Sequence, residues 1–295
     1  MQDPLEWLPQ ALLEDDEAEL MMGIDEAGRG ATLGPMVYGA AIANVAKTQD
    51  LKNQGYDDSK ALTEQKRAKL WEYTKKCGYI GYKVRVIQAE EISKGMLRRY
   101  RPYNLNAMSH DAAIGMVQWA LDQGVNLRYL YVDTVGDPGQ YQAKLESIFP
   151  SLTIKVASKA DSLFPIVSVA SICAKVPRDT IIANWEFEDP ELNEDRNWGC
   201  GYPSDSATKE WMLRHLNPLF GFSNVVRFSW GPVKEILEKE PAKHGVIVVR
   251  WPEDEDPSQA QQRAQMEAFL GKRKRAPVER HKLFDDCGLE AVEGF

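Results

Sequence analysis

The sequence predicts an α/β fold: a mixed five-stranded sheet flanked by helices, with a mainly helical C-terminal extension. Three observations predict it. Short apolar runs cluster early, at Leu20–Asp25, Met36–Ala43 and Tyr79–Ile87. Later runs alternate with segments of helical period, and a mixed sheet covered by helices is the layer arrangement that buries both kinds of apolar surface. Beyond about Gly221 the character changes and charge takes over from long apolar runs.

Taken in order, Leu20–Asp25 and Met36–Ala43 are short and apolar, as strands are. Tyr79–Ile87 alternates, with Ile80, Tyr82, Val84 and Val86 on one side and Lys83 and Arg85 on the other, the pattern of a half-buried strand. Between them, Thr63–Cys77 places Leu70, Trp71 and Thr74 at helical spacing, which predicts a surface helix with Thr63 as its N-cap. Asn104–Gln123 carries Leu105, Met108, Ala112, Met116 and Trp119 at steps of three and four and stops at Gly124, an amphipathic helix with a glycine C-cap. Leu127–Val132 reads as a strand ending on Asp133, Pro138–Phe149 as a helix and Leu152–Ala157 as a strand. After Asp161, the apolar segment Leu163–Trp185 reads as a buried helix with Pro165 in its first turn and Pro177 as a kink or break. These elements make a domain over 18–220, and 221–295 is the extension. Within the extension, Glu235–Glu240 is charged and helical, Val246–Trp251 strand-like and Glu253–Pro257 an acidic linker; Ser258–Leu270 is a polar helix and Lys272–Arg275 a basic cluster.

Composition narrows the function. With 295 residues, 43% of them hydrophobic, the chain can bury one substantial core and carry an appendage. A net charge of -8 argues against a broad, nonspecific polyanion binder and leaves room for a local basic groove. Lys94, Arg98, Arg99 and Arg101, interleaved with Tyr100 and Tyr103, form a basic and aromatic strip that could contact phosphates or be a solvated helix face. Cys77, Cys173, Cys200 and Cys287 are scattered, without the paired spacing of a zinc site or a small disulfide framework, so free thiols in a reducing, intracellular compartment are expected. Met1–Glu19 lacks the basic and apolar regions of a secretory leader, and no window approaches the 18 or so apolar residues of a membrane span.

Four carboxylates end apolar elements: Asp25 and Glu26 after the first strand, Asp133 after a later one, and Asp161 between a strand and the buried helix. A charge at such a position is costly to bury alone, and a divalent cation offsets repulsion among neighbours. Oxygen-only ligation favours magnesium or manganese over zinc. Solvated strand ends and helix caps are the plainer explanation for any one of them. Gly28-Arg29-Gly30 follows directly, but Gly28, Gly30 and Gly34 do not give a G-x-G-x-x-G spacing and no phosphate-binding lysine motif follows. An arginine between glycines beside two carboxylates better suits a backbone cradle for a sugar hydroxyl and a phosphate. Ser109, His110 and Asp111 spell a triad, but consecutive helical residues point in different directions. Tyr202, in the turn Gly199–Pro203, could stack on a base or sugar or cover the core.

At these residues the chain resembles the type 2 ribonucleases H, in particular the catalytic subunits of the eukaryotic heterotrimeric enzymes. The resemblance rests on GIDEAGRGATLG from Gly23, Asp58-Ser59-Lys60, YNLNAMSHD from Tyr103, VDTVG from Val132, KADSLFPIVSVASI from Lys159, GYPSD from Gly201 and FGFSNVVRFSW from Phe220. It implies a ribonuclease H-like sheet, with Asp25, Glu26, Asp133 and Asp161 as catalytic ligands of two divalent ions, Mg2+ or Mn2+. It implies that Gly28, Arg29 and Gly30 read the ribose 2'-hydroxyl, that Tyr202 stacks on the next deoxyribose, and that Lys60, Asn104 and Asn106 contact the substrate backbone. The implied substrates are RNA/DNA hybrids and DNA duplexes holding single ribonucleotides, cut 5' of the ribonucleotide to leave a 3'-hydroxyl and a 5'-phosphate. The implied partners are two accessory subunits docked on the tail, in the nucleus and away from any membrane. A catalytically silent nucleic-acid-binding subunit should have lost at least one carboxylate, and all four are present.

Overall fold

The structure, a computed structural model, describes residues 5–14, 17–56, 62–98, 101–134, 136–187 and 195–248. Lys60, Arg99, Tyr100, Cys287, the Lys272–Arg275 cluster and the expected segments beyond Val248 lie outside the described residues. The chain divides into two compact units, Met1–Ile247 and Val248–Phe295. The first unit therefore takes in residues 221–247, which the sequence reading assigns to the extension.

Six strands form one sheet: β1 (Glu6–Trp7), β2 (Leu20–Ala27), β3 (Met36–Asn44), β4 (Gly81–Ile87), β5 (Leu127–Asp133) and β6 (Thr153–Ala157), in the order β1-β4-β3-β2-β5-β6. From β1 to β2 the neighbours are antiparallel, whereas β2–β5 and β5–β6 are parallel, so the sheet is mixed. All five expected strands are present. The sixth, β1, is an edge pair of two residues, too short for any period to announce it.

The helices are α1 (Thr48–Asn53), α2 (Glu64–Lys76), α3 (Ala89–Met96), α4 (Leu105–Asp122), α5 (Pro138–Ile148), α6 (Pro165–Ala183), α7 (Ser206–Arg214) and α8 (Gly231–Lys234). Thr63 caps α2 by accepting from the Lys66 amide at 3.3 Å, and Gly124, at φ 82°, follows the end of α4 as its sequence position predicts. Pro177 lies inside α6 without ending it. Glu235–Lys239 closes into a π-helical turn after α8, and Val246–Val248 carries no strand, although the apolar run there suggests one.

Period-2 alternation sends the two sets of β2 side chains to different cores. Leu20, Met22 and Ile24 join Met116 and Val117 of α4 and Leu145 of α5; Met21 joins Ile166, Val169, Ala170 and Cys173 of α6. A third cluster gathers Leu33, Trp198, Trp211, Val225, Val226 and Val233 around the loops beyond β2. Helix α6 lies flush on the sheet at Gly23 and Gly39. A Cβ at Gly39 would stand 2.3 Å from the Ala170 carbonyl oxygen, and one at Gly23 2.5 Å from the Ile166 backbone. Gly39→Ala is therefore expected to lift α6, at a cost of about 3 kcal/mol by overpacking and a fall in Tm on the order of 10 °C. An unchanged Tm in thermal denaturation would show that α6 is not seated on that glycine.

Candidate active site

The end of β2 divides its two carboxylates between the faces of the sheet. Asp25 continues the Met21 and Gly23 side and meets α6, where Ser171 hydrogen-bonds it and the Lys175 charge lies nearby. Its Oδ1 also accepts the Glu26 amide at 2.7 Å. The side chain is 5% exposed, and burial, reinforced by the neighbouring Asp133 charge, pushes its pKa from 3.8 up to about 7 against those hydrogen bonds. Glu26 continues the other face, into a cavity whose lining includes Tyr38, Asn106, Ser109, Asp133 and Tyr141. Burial, with the Glu26 charge added to it, holds the Tyr38 and Tyr141 phenols protonated.

At the end of β5, Asp133 Oδ1 accepts the amides of Thr134 and Ala160, both at 3.0 Å. That bond latches β5 to the one-turn 3-10 helix Ala160–Ser162, which carries Asp161, itself 3% exposed. The chain enters this turn through Lys159 at φ 58°, a left-handed conformation that costs a non-glycine residue about 1 kcal/mol. Asp133 is thus near enough to Asp25 to raise its pKa, shares the cavity with Glu26, and binds the residue before Asp161. Among the described residues, no three His, Cys, Asp or Glu side chains already enclose an ion position. The donor chemistry nevertheless fits an open site for a hard divalent cation, which takes one or two carboxylates and fills its shell with water and substrate phosphate oxygens.

The glycine-framed turn follows within two residues. Gly28 has φ 75°, and a Cβ there would lie 2.0 Å from Arg178 Nε and 2.8 Å from the Pro35 carbonyl oxygen. Arg29 reaches back to α4, where Nη1 donates to Ser109 Oγ and Nη2 to Asn106 Oδ1 at 2.5 Å. Its guanidinium is committed to α4, and within the turn Gly28 is buried while Gly30 is exposed. Beside Gly30 stands the Tyr202 ring, 3.8 Å from where a Cβ would be, with Arg178 Cζ 5.8 Å from the ring centroid. The Tyr202 turn is tied on directly, since the Gly201 carbonyl accepts the amides of Thr32 at 2.8 Å and Leu33 at 3.1 Å.

Asn106 belongs to this cavity, while Asn104 Oδ1 caps α4 by accepting the Ala107 amide at 2.9 Å. Ser109, His110 and Asp111 diverge as their helical spacing predicts. Ser109 accepts from Arg29, His110 stacks on Tyr141 with centroids 4.0 Å apart, and Asp111 accepts from the Tyr103 hydroxyl at 2.6 Å. Sequence reasoning missed Arg178 and Arg227, two buried arginines beneath the turn. Arg227 did carry a signal, a lone cation in the run Val225-Val226-Arg227-Phe228, because an arginine is seldom buried unless something receives it.

The family model described as Ribonuclease HII matches residues 22–233 of the chain. The A-type subunit of ribonuclease H2 from Mus musculus is 42% identical over 275 residues, covering 92% of this chain and 89% of that protein. The corresponding ribonuclease H2 subunit from Arabidopsis thaliana is 45% identical over 236 residues, covering 80% and 77%. Among solved structures, the ribonuclease H2 from Pyrococcus horikoshii OT3 superposes with a TM-score of 0.59 at 29% identity, covering 76% of this chain and 99% of that one.

Proposed function

The chain belongs to the ribonuclease HII family and is a ribonuclease H, and from that premise we propose that it cuts duplex DNA on the 5' side of an embedded ribonucleotide, and the RNA strand of RNA/DNA hybrids. One observation carries the reading: the β2 end that holds Asp25 and Glu26 runs without a break into the Gly28–Gly30 turn, with the Tyr202 ring beside it. A group bound by the turn is thereby held at a fixed offset from the carboxylates.

The residues take the following parts. The backbone of Gly28, Arg29 and Gly30 receives the 2'-hydroxyl, the group that separates RNA from DNA. Arg29, braced on Asn106 and Ser109, fixes that backbone relative to α4. Tyr202 stacks on the deoxyribose that follows, and Asn106, Asn104 and Lys60 would contact the substrate backbone. Asp25, Glu26, Asp133 and Asp161 would hold two divalent ions, Mg2+ or Mn2+, which lower the pKa of an attacking water and neutralise the leaving oxygen. The Asp133 bond to Ala160 keeps the β5 end and the Asp161 turn in register for that task. Positioning of this kind turns binding energy at the sugar into alignment of the scissile phosphate. The tail, from about residue 235 to 295, would help dock two accessory subunits, and Lys272–Arg275 would serve nuclear import. Excision of ribonucleotides from DNA and removal of RNA primers are the matching cellular tasks.

In the assembled protein with Mg2+, the RNA strand of an RNA/DNA hybrid should be cut to 3'-hydroxyl and 5'-phosphate ends, and a chelator should stop the reaction. Ends bearing a 2',3'-cyclic phosphate would contradict the reading, because they form when the 2'-hydroxyl of the ribose upstream of the cut, and not water, attacks the scissile phosphate. Tyr202→Ala should slow cutting at a single ribonucleotide about tenfold more than cutting of a continuous hybrid, given a stacking contribution of roughly 1–3 kcal/mol. An equal loss on both substrates, measured as kcat/KM, would remove the ring from the junction.

A further inference from the structure

We propose that Arg227, seconded by Trp230, is the positioning residue that sets the ribose-reading turn in its working shape before substrate arrives. The inference rests on the 2'-hydroxyl role proposed for Gly28–Gly30 and explains how that role is maintained. Arg227 is fully buried, and all three arms of its guanidinium end on backbone carbonyls, two of them in the turn and the third at Gly34 just beyond it. Nη2 donates to Gly28 at 2.6 Å, Nη1 to Arg29 at 2.9 Å and Nε to Gly34 at 2.9 Å. Its own amide donates to the Thr32 carbonyl at 2.9 Å. Trp230 adds a fourth side-chain donor, Nε1 to the Gly30 carbonyl at 3.2 Å, and its ring centroid lies 4.8 Å from Arg227 Cζ.

The consequence follows from the planarity of the peptide group. In a trans peptide the carbonyl and the next residue's N–H point in opposite directions. With the Gly28 and Arg29 carbonyls turned onto Arg227, the amides of Arg29 and Gly30 are turned away from it, toward the side from which a sugar hydroxyl would come. A cation on the carbonyl side also polarises those peptide units, which strengthens their N–H groups as donors. Burial lowers the Arg227 pKa to about 9, still well above neutral, so the cation persists at working pH. Glycine supplies the freedom to adopt the turn and Arg227 withdraws it again. Lysine could not stand in, because a point charge on a flexible stem does not present the planar fork that meets three carbonyls at once.

The test compares the full chain, assembled with its accessory subunits, as wild type, Arg227→Lys and Trp230→Phe. Three quantities are read: deuterium exchange of peptides spanning 27–34, affinity for a duplex with one ribonucleotide, and the single-turnover cleavage rate per folded molecule. For Arg227→Lys we expect exchange in 27–34 to rise about tenfold or more while β2 stays protected, cleavage to fall about 10- to 100-fold, and affinity to stay within about threefold. Trp230→Phe keeps an aromatic ring and loses the Nε1 donor, so the same pattern should appear at about 3- to 10-fold. Unchanged exchange would overturn the proposal, as would looser exchange with wild-type cleavage, or a joint loss of affinity and cleavage that marks a plain substrate contact. If Arg227→Lys fails to fold, Trp230→Phe decides alone, and wild-type behaviour there overturns the inference. Wild-type protein that cuts all-DNA duplex equally would instead defeat the proposed function, leaving the exchange result to judge the clamp separately.

Discussion

Asp25→Asn should abolish hydrolysis, by at least about 10³-fold, while the protein still binds a ribonucleotide-containing duplex. Asparagine keeps the shape at the end of β2 and the acceptor for the Glu26 amide, but it loses the charge on which ion binding depends. The same replacement should make the metal-free protein more stable above neutral pH. The Asp25 pKa is about 7 in the fold against 3.8 ordinarily, so the folded state binds more protons between those values. Stability therefore falls as pH rises from about 4 to 7, and the loss is fully present above that. Asn escapes this penalty, so its Tm advantage without metal should be largest above pH 7 and shrink on acidification. Activity near wild type, or a Tm below wild type at pH 8 in chelator, would remove Asp25 from the role argued for it.

Gly28→Ala should cost nearly as much activity by a different route. At φ 75° an L side chain is strained, and the added Cβ falls 2.0 Å from Arg178 Nε and 2.6 Å from its Cδ. Arg178 is buried, and even if it shifted the Pro35 carbonyl oxygen would stand 2.8 Å from the added Cβ. The turn has to move instead, and a displacement on the order of 1 Å at a reacting geometry can cost about 100-fold in rate. Gly30→Ala is the natural control, because a Cβ there meets only the Tyr202 ring at 3.8 Å, an ordinary contact. We expect Gly28→Ala to lose at least about 100-fold in single-turnover cleavage and Gly30→Ala to keep the Tm of the wild type. Near-normal cleavage by Gly28→Ala would show that the shape of the turn does not matter.

The parts of this architecture that were legible in the sequence are those written in local periods. Alternation marked β4, steps of three and four marked α4, and Thr63 and Gly124 marked helix ends, because each signal lies within one element. The same period-2 rule explains why Asp25 and Glu26, adjacent in sequence, face α6 and the α4 cavity respectively. What stayed hidden depends on contacts between distant segments. The two residues of β1 pair with β4 only after the sheet exists, and no pattern inside them says so. Helix α7, which no assigned element anticipates, follows the turn Gly199–Pro203 and is held by its Asp205 cap and by Trp211 packed in the third cluster. The Arg227 clamp joins a loop near the end of the first unit to the turn after β2, so neither segment alone discloses it.

The site shows the same division. Four carboxylates at element ends could be picked out because each interrupts an apolar run, yet their relation is tertiary. Asp133 raises the pKa of Asp25 and grips Ala160 beside Asp161 only because β5 lies parallel to β2 and β6. The turn read from the sequence as an arginine between glycines has its arginine side chain committed to α4, a tertiary contact that the local spacing does not disclose.

The most direct test of the central claim, that chemistry and ribose recognition share one turn of chain, is a nicking assay on two duplexes differing by a single oxygen atom. One carries a lone ribonucleotide and the other the matching deoxynucleotide, each incubated with the assembled protein and Mg2+. We predict one nick, on the 5' side of the ribonucleotide, and an intact all-DNA duplex. Equal cutting of both, or cutting that ignores the ribonucleotide's position, would contradict it.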